Sequence, residues 1–251
     1  MRGILTYHSL DESGSPISIE PRVFRSQMEF LARGKPRVVP LADVVRPDAP
    51  DETVALTFDD AFANFHELAA PLLADLGLPA TLFVVTDHVG RDNNWASAHQ
   101  AHVTVPSLAL MSWDDLEDVT RRGVEIGAHS RRHPHLTTLR PAALADEVHG
   151  SAERIRAMLG ARPTSFAYPY GDVNDTVASA VRSAYQRACT TQLRALAIGD
   201  DPARLPRLDA YYFRAEGQLE QWGTPAFQRR LWLRAQARRV RGLVSAAAQR
   251  V

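Results

Sequence analysis

Apolar residues in this chain fall into short runs separated by longer stretches of helical period. Seven runs are β-branched or aromatic enough to read as strands: 4–8 (ILTYH), 54–59 (VALTFD), 80–85 (ATLFVV), 124–130 (VEIGAHS), 165–170 (SFAYPY), 187–191 (RACTT) and 204–211 (RLPRLDAY). Between them, 21–34, 67–77, 112–123, 141–159 and 175–185 carry the spacing of amphipathic helices. Several of these open on Ser, Pro or Asp and close on Gly. Repeated strand-then-helix units predict an α/β fold, a parallel sheet or barrel with helices outside. In such folds the chemistry collects on loops leaving the C-terminal ends of strands. His8, Asp59, Asp60, His129, His133 and Tyr170 all stand at or just beyond a predicted strand end.

The run VALTFDDAF (54–62) ends in two adjacent carboxylates, Asp59 and Asp60. Like charges at the end of a buried element are costly, so something must compensate them or use them. In GAHSRRHPHL (127–136), His129 and His133 are four residues apart, and Pro134 favours a tight loop over a helix. Two imidazoles and one carboxylate make the three-ligand set of a catalytic divalent site, for which zinc is the natural first reading. A cation there would offset Asp60 and leave Asp59 free to act as a base. Because successive strand residues point to opposite sides, the two carboxylates are expected to take different jobs. Each feature alone has a plainer reading: an N-cap with a solvated neighbour, or chance spacing among nine histidines. Their joint placement on successive strand ends is the more specific signal.

Composition adds bounds. With 251 residues, 45% hydrophobic, 23% charged and a formal net charge of zero, the chain reads as a soluble globular protein with no general argument for nucleic-acid binding. No Pro/Gly/Ser-rich linker divides it, so one domain is expected. The single cysteine, Cys189, excludes an intramolecular disulfide and a Cys-rich zinc site. The opening MRGILTYHSL is too short in apolar residues for a signal peptide, and no apolar stretch approaches the ~20 residues needed to span a bilayer. A cytoplasmic location is the expectation.

Three motifs carry a family resemblance: TFDD (57–60), HSRRHP (129–134) and YPYG (168–171). Together they resemble the first three motifs of the polysaccharide deacetylases, the fourth carbohydrate esterase family, related to rhizobial chitooligosaccharide deacetylase. The resemblance spans residues 1 to about 212. It implies a distorted (β/α)7 barrel; residues 213–251, outside it, read as a basic helical extension of the same single domain. It also implies metal-dependent hydrolysis of N-acetyl, or sometimes O-acetyl, groups on sugars. Carried over by motif, Asp59 is the general base, and Asp60, His129 and His133 are the ligands of Zn2+, or of Co2+, Ni2+ or Fe2+. Tyr170 offers its backbone N–H to the oxyanion.

Two positions depart from the pattern. Ala167 stands where the third motif usually opens with an Arg that steadies the base. Arg207 stands where the last motif usually ends in the His that protonates the leaving amine. An expelled amine needs that proton. The first strand ends at His8, which a closed barrel places beside the last strand. The sequence is similar to permuted deacetylases of poly-N-acetylglucosamine systems, in which an N-terminal His is the acid. His8 is therefore expected to be the general acid, against the alternative of a histidine hydrogen-bonded under the barrel rim. Arg207 is expected to take over beside Asp59.

On the substrate side, Trp95 in the loop GRDNNWASAH (90–99) is expected to meet a sugar ring or to plug the fold. Pro169, Gly171 and Arg207 join it as candidate substrate-contacting residues. His99 and His102 nearby carry no distinguishing spacing. Ser112 reads as a helix N-cap with acidic residues after it. The tail from Phe227 contains seven Arg and no acid. It reads either as a surface helix resting on anionic lipid, a peripheral membrane contact, or as a terminal helix packed on the barrel with an arginine-covered outer side. The functional expectation is a deacetylase of amino sugars in a poly- or oligosaccharide or a lipid- or nucleotide-linked conjugate. The alternatives are a carbohydrate-binding protein without turnover, and a hydrolase of another C–N bond such as a formamide or cyclic imide.

Overall fold

The computed structural model describes residues 1–95 and 105–248, with side chains as far as Arg238 in the last helix; His99 and His102 lie outside the described residues. The framework is a curled parallel sheet. Its strands are β1 (Gly3–Tyr7), β4 (Arg37–Val38), β5 (Thr53–Phe58), β6 (Ala80–Val84), β7 (Glu125–Ala128), β8 (Ser165–Ala167), β9 (Arg187–Cys189) and β10 (Leu208–Asp209). A separate parallel pair, β2 (Ser9–Leu10) and β3 (Ser18–Ile19), follows the first strand. The order around the sheet is β10-β1-β5-β6-β7-β8-β9, with β4 joining β5. Between β9 and β10 the ring is bridged by the stretch before β10. The Leu205 N–H donates to Ala188 O, the Thr190 N–H to Leu205 O, and the Arg207 N–H to Gln192 O. The sheet therefore curls into the barrel form expected from the sequence, with all strand C-termini at one end.

Strand alternation sorts the core into two layers. Ile4, Ala55, Phe83, Ala167, Cys189 and Leu205 face the barrel axis. There they meet Leu41 and Val44 of the short helix α2 (Leu41–Val44), which plugs the interior. Leu5, Tyr7, Leu56, Phe58, Leu82 and Phe166 face outward onto the helices. Those are α1 (Pro21–Leu31), α3 (Ala70–Asp75), α4 (Trp113–Arg121), α5 (Pro141–Leu159) and α6 (Asp175–Arg182). Buried on both sides, the strands read as continuous apolar runs rather than alternating ones. Ser112 does cap α4, in a reciprocal box with Asp115, and Gly160 ends α5 in the left-handed conformation that glycine adopts without strain.

The segment after 212 is held against the barrel. Phe213, Leu219, Trp222, Phe227 and Leu231 are buried in the outer core, and the Trp222 indole donates to Met1 O at 3.2 Å. The last helix, α7 (Pro225–Ala248), docks through its first two turns, leaving Trp232 and Leu233 exposed. Arg234 and Arg238 lie 4.9 and 5.9 Å over the Tyr212 ring. These contacts match the packed-helix reading of the tail. Among the described residues no helix is long and apolar enough to cross a membrane.

Candidate metal centre

The site begins with Asp59 and Asp60. β5 ends at Phe58, so both carboxylates lie beyond the strand, and alternation is not what separates them. Asp60 and Ala61 instead take positive φ, 73° and 60°, a conformation that costs a non-glycine residue about 1 kcal/mol or more. Three of the four other described non-glycine residues at positive φ are Ser130, His133 and Tyr170. Strain is thus concentrated around one spot, on the loops after β5, β7 and β8.

Those kinks bring Asp60, His129 and His133 together, with one ligand atom from each lying within 4.8 Å of the others. His129 Nε2 is 3.5 Å and His133 Nε2 3.6 Å from Asp60 Oδ1, too long for hydrogen bonds. All three side chains are buried. Asp60 Oδ1 has no hydrogen-bond partner among the described residues, an expensive condition for a buried carboxylate. Burial pushes the Asp60 carboxyl above its ordinary range and His133 well below its own, favouring the neutral imidazole that binds metals. His129 Nδ1–H donates to Ala167 O at 2.7 Å, which leaves Nε2 as the ligand atom. The Ser130 hydroxyl accepts the His133 N–H at 3.0 Å and so fixes the loop. A divalent cation fits this donor set: it would satisfy the orphaned oxygen, and two imidazoles with one carboxylate are its usual partners.

Asp59 sits apart from that triad in a different cage. Both its oxygens accept from Arg207, at 2.6 and 2.7 Å. Arg207 rises from just below β10 along the barrel interior, over the Phe83 ring at 5.8 Å, and its Nε donates to Thr190 O. Burial by itself would raise the Asp59 carboxyl; Arg207 first, then the neighbouring histidines, hold it well below the usual carboxylate range. His8 approaches from the other side, its Nε2 3.7 Å from Asp59 Oδ2. At 1% exposure Arg207 is buried against Asp59. The structure thus places Arg207 beside Asp59.

These features decide the relationships. Residues 46–188 match the family model described as polysaccharide deacetylase. The chain belongs to the polysaccharide deacetylase family. It is 25% identical over 195 residues to the Bacillus subtilis (strain 168) protein YxkH, covering 75% of this chain and 64% of that protein. The chain therefore spans a little under two thirds of that relative's length. It is 23% identical over 220 residues to the poly-beta-1,6-N-acetyl-D-glucosamine N-deacetylase of Staphylococcus epidermidis, covering 82% of this chain and 72% of that protein. In fold it is similar to IcaB from Ammonifex degensii, with a TM-score of 0.72 at 22% identity over 90% of this chain and 96% of that one.

In this chain the aromatic neighbours of the triad were the part least visible in sequence. Trp95 is buried, with its ring stacked on His133 at 4.3 Å between centroids, rather than open in a loop towards a sugar. The exposed ring is that of Tyr170, which stacks on His135 at 4.3 Å and meets His133 edge-on at 4.6 Å. Asp172 lies 3.7 Å from the His135 imidazole and accepts from the Thr137 hydroxyl at 2.7 Å. Pro169 is buried at the start of the single turn Pro169–Gly171. A Cβ on Gly171 would lie 2.1 Å from Thr191 Oγ1, so that glycine serves close backbone packing. His135 and Asp172 flank the HSRRHP and YPYG motifs directly, which was the signal available for them.

Proposed function

We propose that the chain is a metal-dependent hydrolase that removes N-acetyl groups from amino sugars of a saccharide. The observation that carries this reading is the pairing of two carboxylates in different surroundings. Asp60 is joined to two imidazoles around an unsatisfied oxygen. Asp59 is ionised, clamped by Arg207 and 3.7 Å from His8. Asp60, His129 and His133 would hold the cation, and zinc suits two nitrogens and one oxygen. When bound, it supplies Lewis acidity to the acetyl carbonyl and acidifies water.

The chain's own groups divide the remaining work. Asp59 is placed to accept the proton of the attacking water, and Arg207 fixes its carboxylate plane so that proton transfer has one geometry. His8, three-quarters buried on that side chain, stands to give a proton to the departing nitrogen. The Tyr170 N–H in its left-handed turn is the candidate donor to the oxyanion, an interaction worth about 3 kcal/mol. Water adds to the carbonyl carbon, the C–N bond breaks, and acetate and a free amine leave.

The polymer in the name of the Staphylococcus epidermidis relative, poly-β-1,6-N-acetyl-D-glucosamine, is the first substrate to try. The test is acetate release from N-acetylglucosamine oligomers by the metal-loaded protein, repeated after chelation and with Asp59→Asn. Release that survives both controls would defeat the proposal.

A further inference from the structure

A second cavity, of about 770 Å³, lies between the loop leaving β6 and the surface of α5. Arg131 and Arg132, the pair between the two histidines of HSRRHP, line it. Their guanidiniums turn away from the triad. Arg131 bonds Asp87 and Asp146, and Arg132 bonds Asp146 and Glu147. The Thr86 N–H donates to Ser130 O and the Asp87 N–H to Arg131 O, so one pair of loops builds the cavity on one side and holds the triad histidines on the other.

The cavity's carboxylates are committed. Asp87 is taken by Arg131, and Glu153 by Arg156 and Arg162 at 2.9 and 3.0 Å. Two further arginines in the lining, Arg91 and Arg154, have no carboxylate partner among the described residues; Arg154 lies 5.6 Å over the Trp113 ring. Thr86, 3% exposed, also lines the cavity, and its hydroxyl has no hydrogen-bond partner among the described residues. Gly150 stands inside the continuous helix α5, where glycine weakens a helix by roughly 0.5–1 kcal/mol. A Cβ there would sit 2.7 Å from Arg131 Cδ, so the glycine makes room for this wall.

We propose that this cavity is a phosphate-binding subsite, across the loops after β6 and β7 from the triad of Asp60, His129 and His133. Two uncommitted guanidiniums and an unused buried hydroxyl match the several acceptor oxygens of a phosphate better than the two of a carboxylate. Resting on the deacetylase reading, the subsite gives it a substrate class: a saccharide bearing a phosphate ester far enough from the scissile acetamide to reach across the loops after β6 and β7. A phosphate ion free in solution offers the same chemistry, and the experiment separates the two sources.

The metal-loaded wild type, Arg154→Ala, an Arg91→Ala/Arg154→Ala double variant and Thr86→Val are titrated calorimetrically with inorganic phosphate. Deacetylation kinetics are then measured on an N-acetylglucosamine oligomer with and without a phosphate ester. The expected result is at least tenfold weaker phosphate binding in the double variant, together with a KM for the phosphorylated oligomer at least tenfold below that for the neutral one in the wild type. Arg154→Ala should erase that preference while leaving turnover of the neutral oligomer unchanged. Phosphate binding that depends on these arginines, with no preference between oligomers, would support the subsite and assign it to the free ion. Equal phosphate binding by wild type and double variant overturns the proposal. If neither oligomer is deacetylated, the deacetylase reading fails, and the titration still decides the subsite.

Discussion

The Arg207 guanidinium meets both oxygens of Asp59 across 148 residues of sequence, and both side chains are buried. A bidentate pair of this kind fixes a plane as well as a charge. Arg207→Met leaves the carboxylate buried without its counter-charge, and about 3–5 kcal/mol of stability should be lost at neutral pH. In the wild type the folded carboxyl titrates below its unfolded value of about 3.9, so this contribution is present above that pH and fades as pH falls through the lower folded value. In the variant burial dominates and the carboxyl takes up its proton at higher pH. The variant should therefore be more stable at pH 5 than at pH 7, and its activity should fall off at higher pH on the acid side. Thermal melts and a pH–rate profile check both.

Asp59 and Asp60 should separate cleanly by metal content. Asp59→Asn is expected to keep a full equivalent of metal and lose turnover, whereas His133→Ala should lose both. Elemental analysis of the two purified variants settles it, and equal metal loss would contradict the division of roles.

His8 is expected to matter in proportion to how badly the leaving group needs a proton. His8→Ala should reduce deacetylation of an acetamide by roughly 10²–10⁴-fold, the usual contribution of a positioned acid. Hydrolysis of an aryl acetate, whose phenolate leaves unaided, should fall far less. A similar loss on both substrates would make His8 a structural histidine.

Gly171 has a φ of +71° and its missing Cβ would press on both the hydroxyl and the backbone of Thr191. Gly171→Ala should cost about 2–4 kcal/mol from strain and overpacking together. The loss should appear as a lowered denaturation midpoint with an unchanged m-value.

Much of this was legible in the sequence, for identifiable reasons. Strands buried on both faces announce themselves as apolar runs, and six of the seven predicted runs coincide with strands: β6–β9 lie within their runs and are shorter, while β1 and β5 begin one residue before theirs. The seventh, predicted over 204–211, contracts to Leu208–Asp209 because Leu205 and Arg207 bond Ala188, Thr190 and Gln192, in and just after β9, instead. β2, β3, β4 and α2 span two to four residues each, too few for a period to show. The triad was readable because Asp60, His129 and His133 follow strand ends. Trp95 was not, since its contact with His133 joins loops 38 residues apart and no local pattern encodes it. Residues 65–69 form a π-turn before α3, where the sequence reads as one helix from 67 onward.

β1 lies between β5 and β10, so the earliest-made stave of the barrel is flanked by the last. During synthesis the Asp59 carboxylate emerges 148 residues ahead of its guanidinium clamp. Until the closing strand leaves the ribosome, Asp59 lacks the guanidinium that lets it be buried as a carboxylate. Closure is then a long-range event of the kind that slows folding. Competence for hydrolysis should consequently arrive all at once, when the two remote segments dock, rather than growing with chain length.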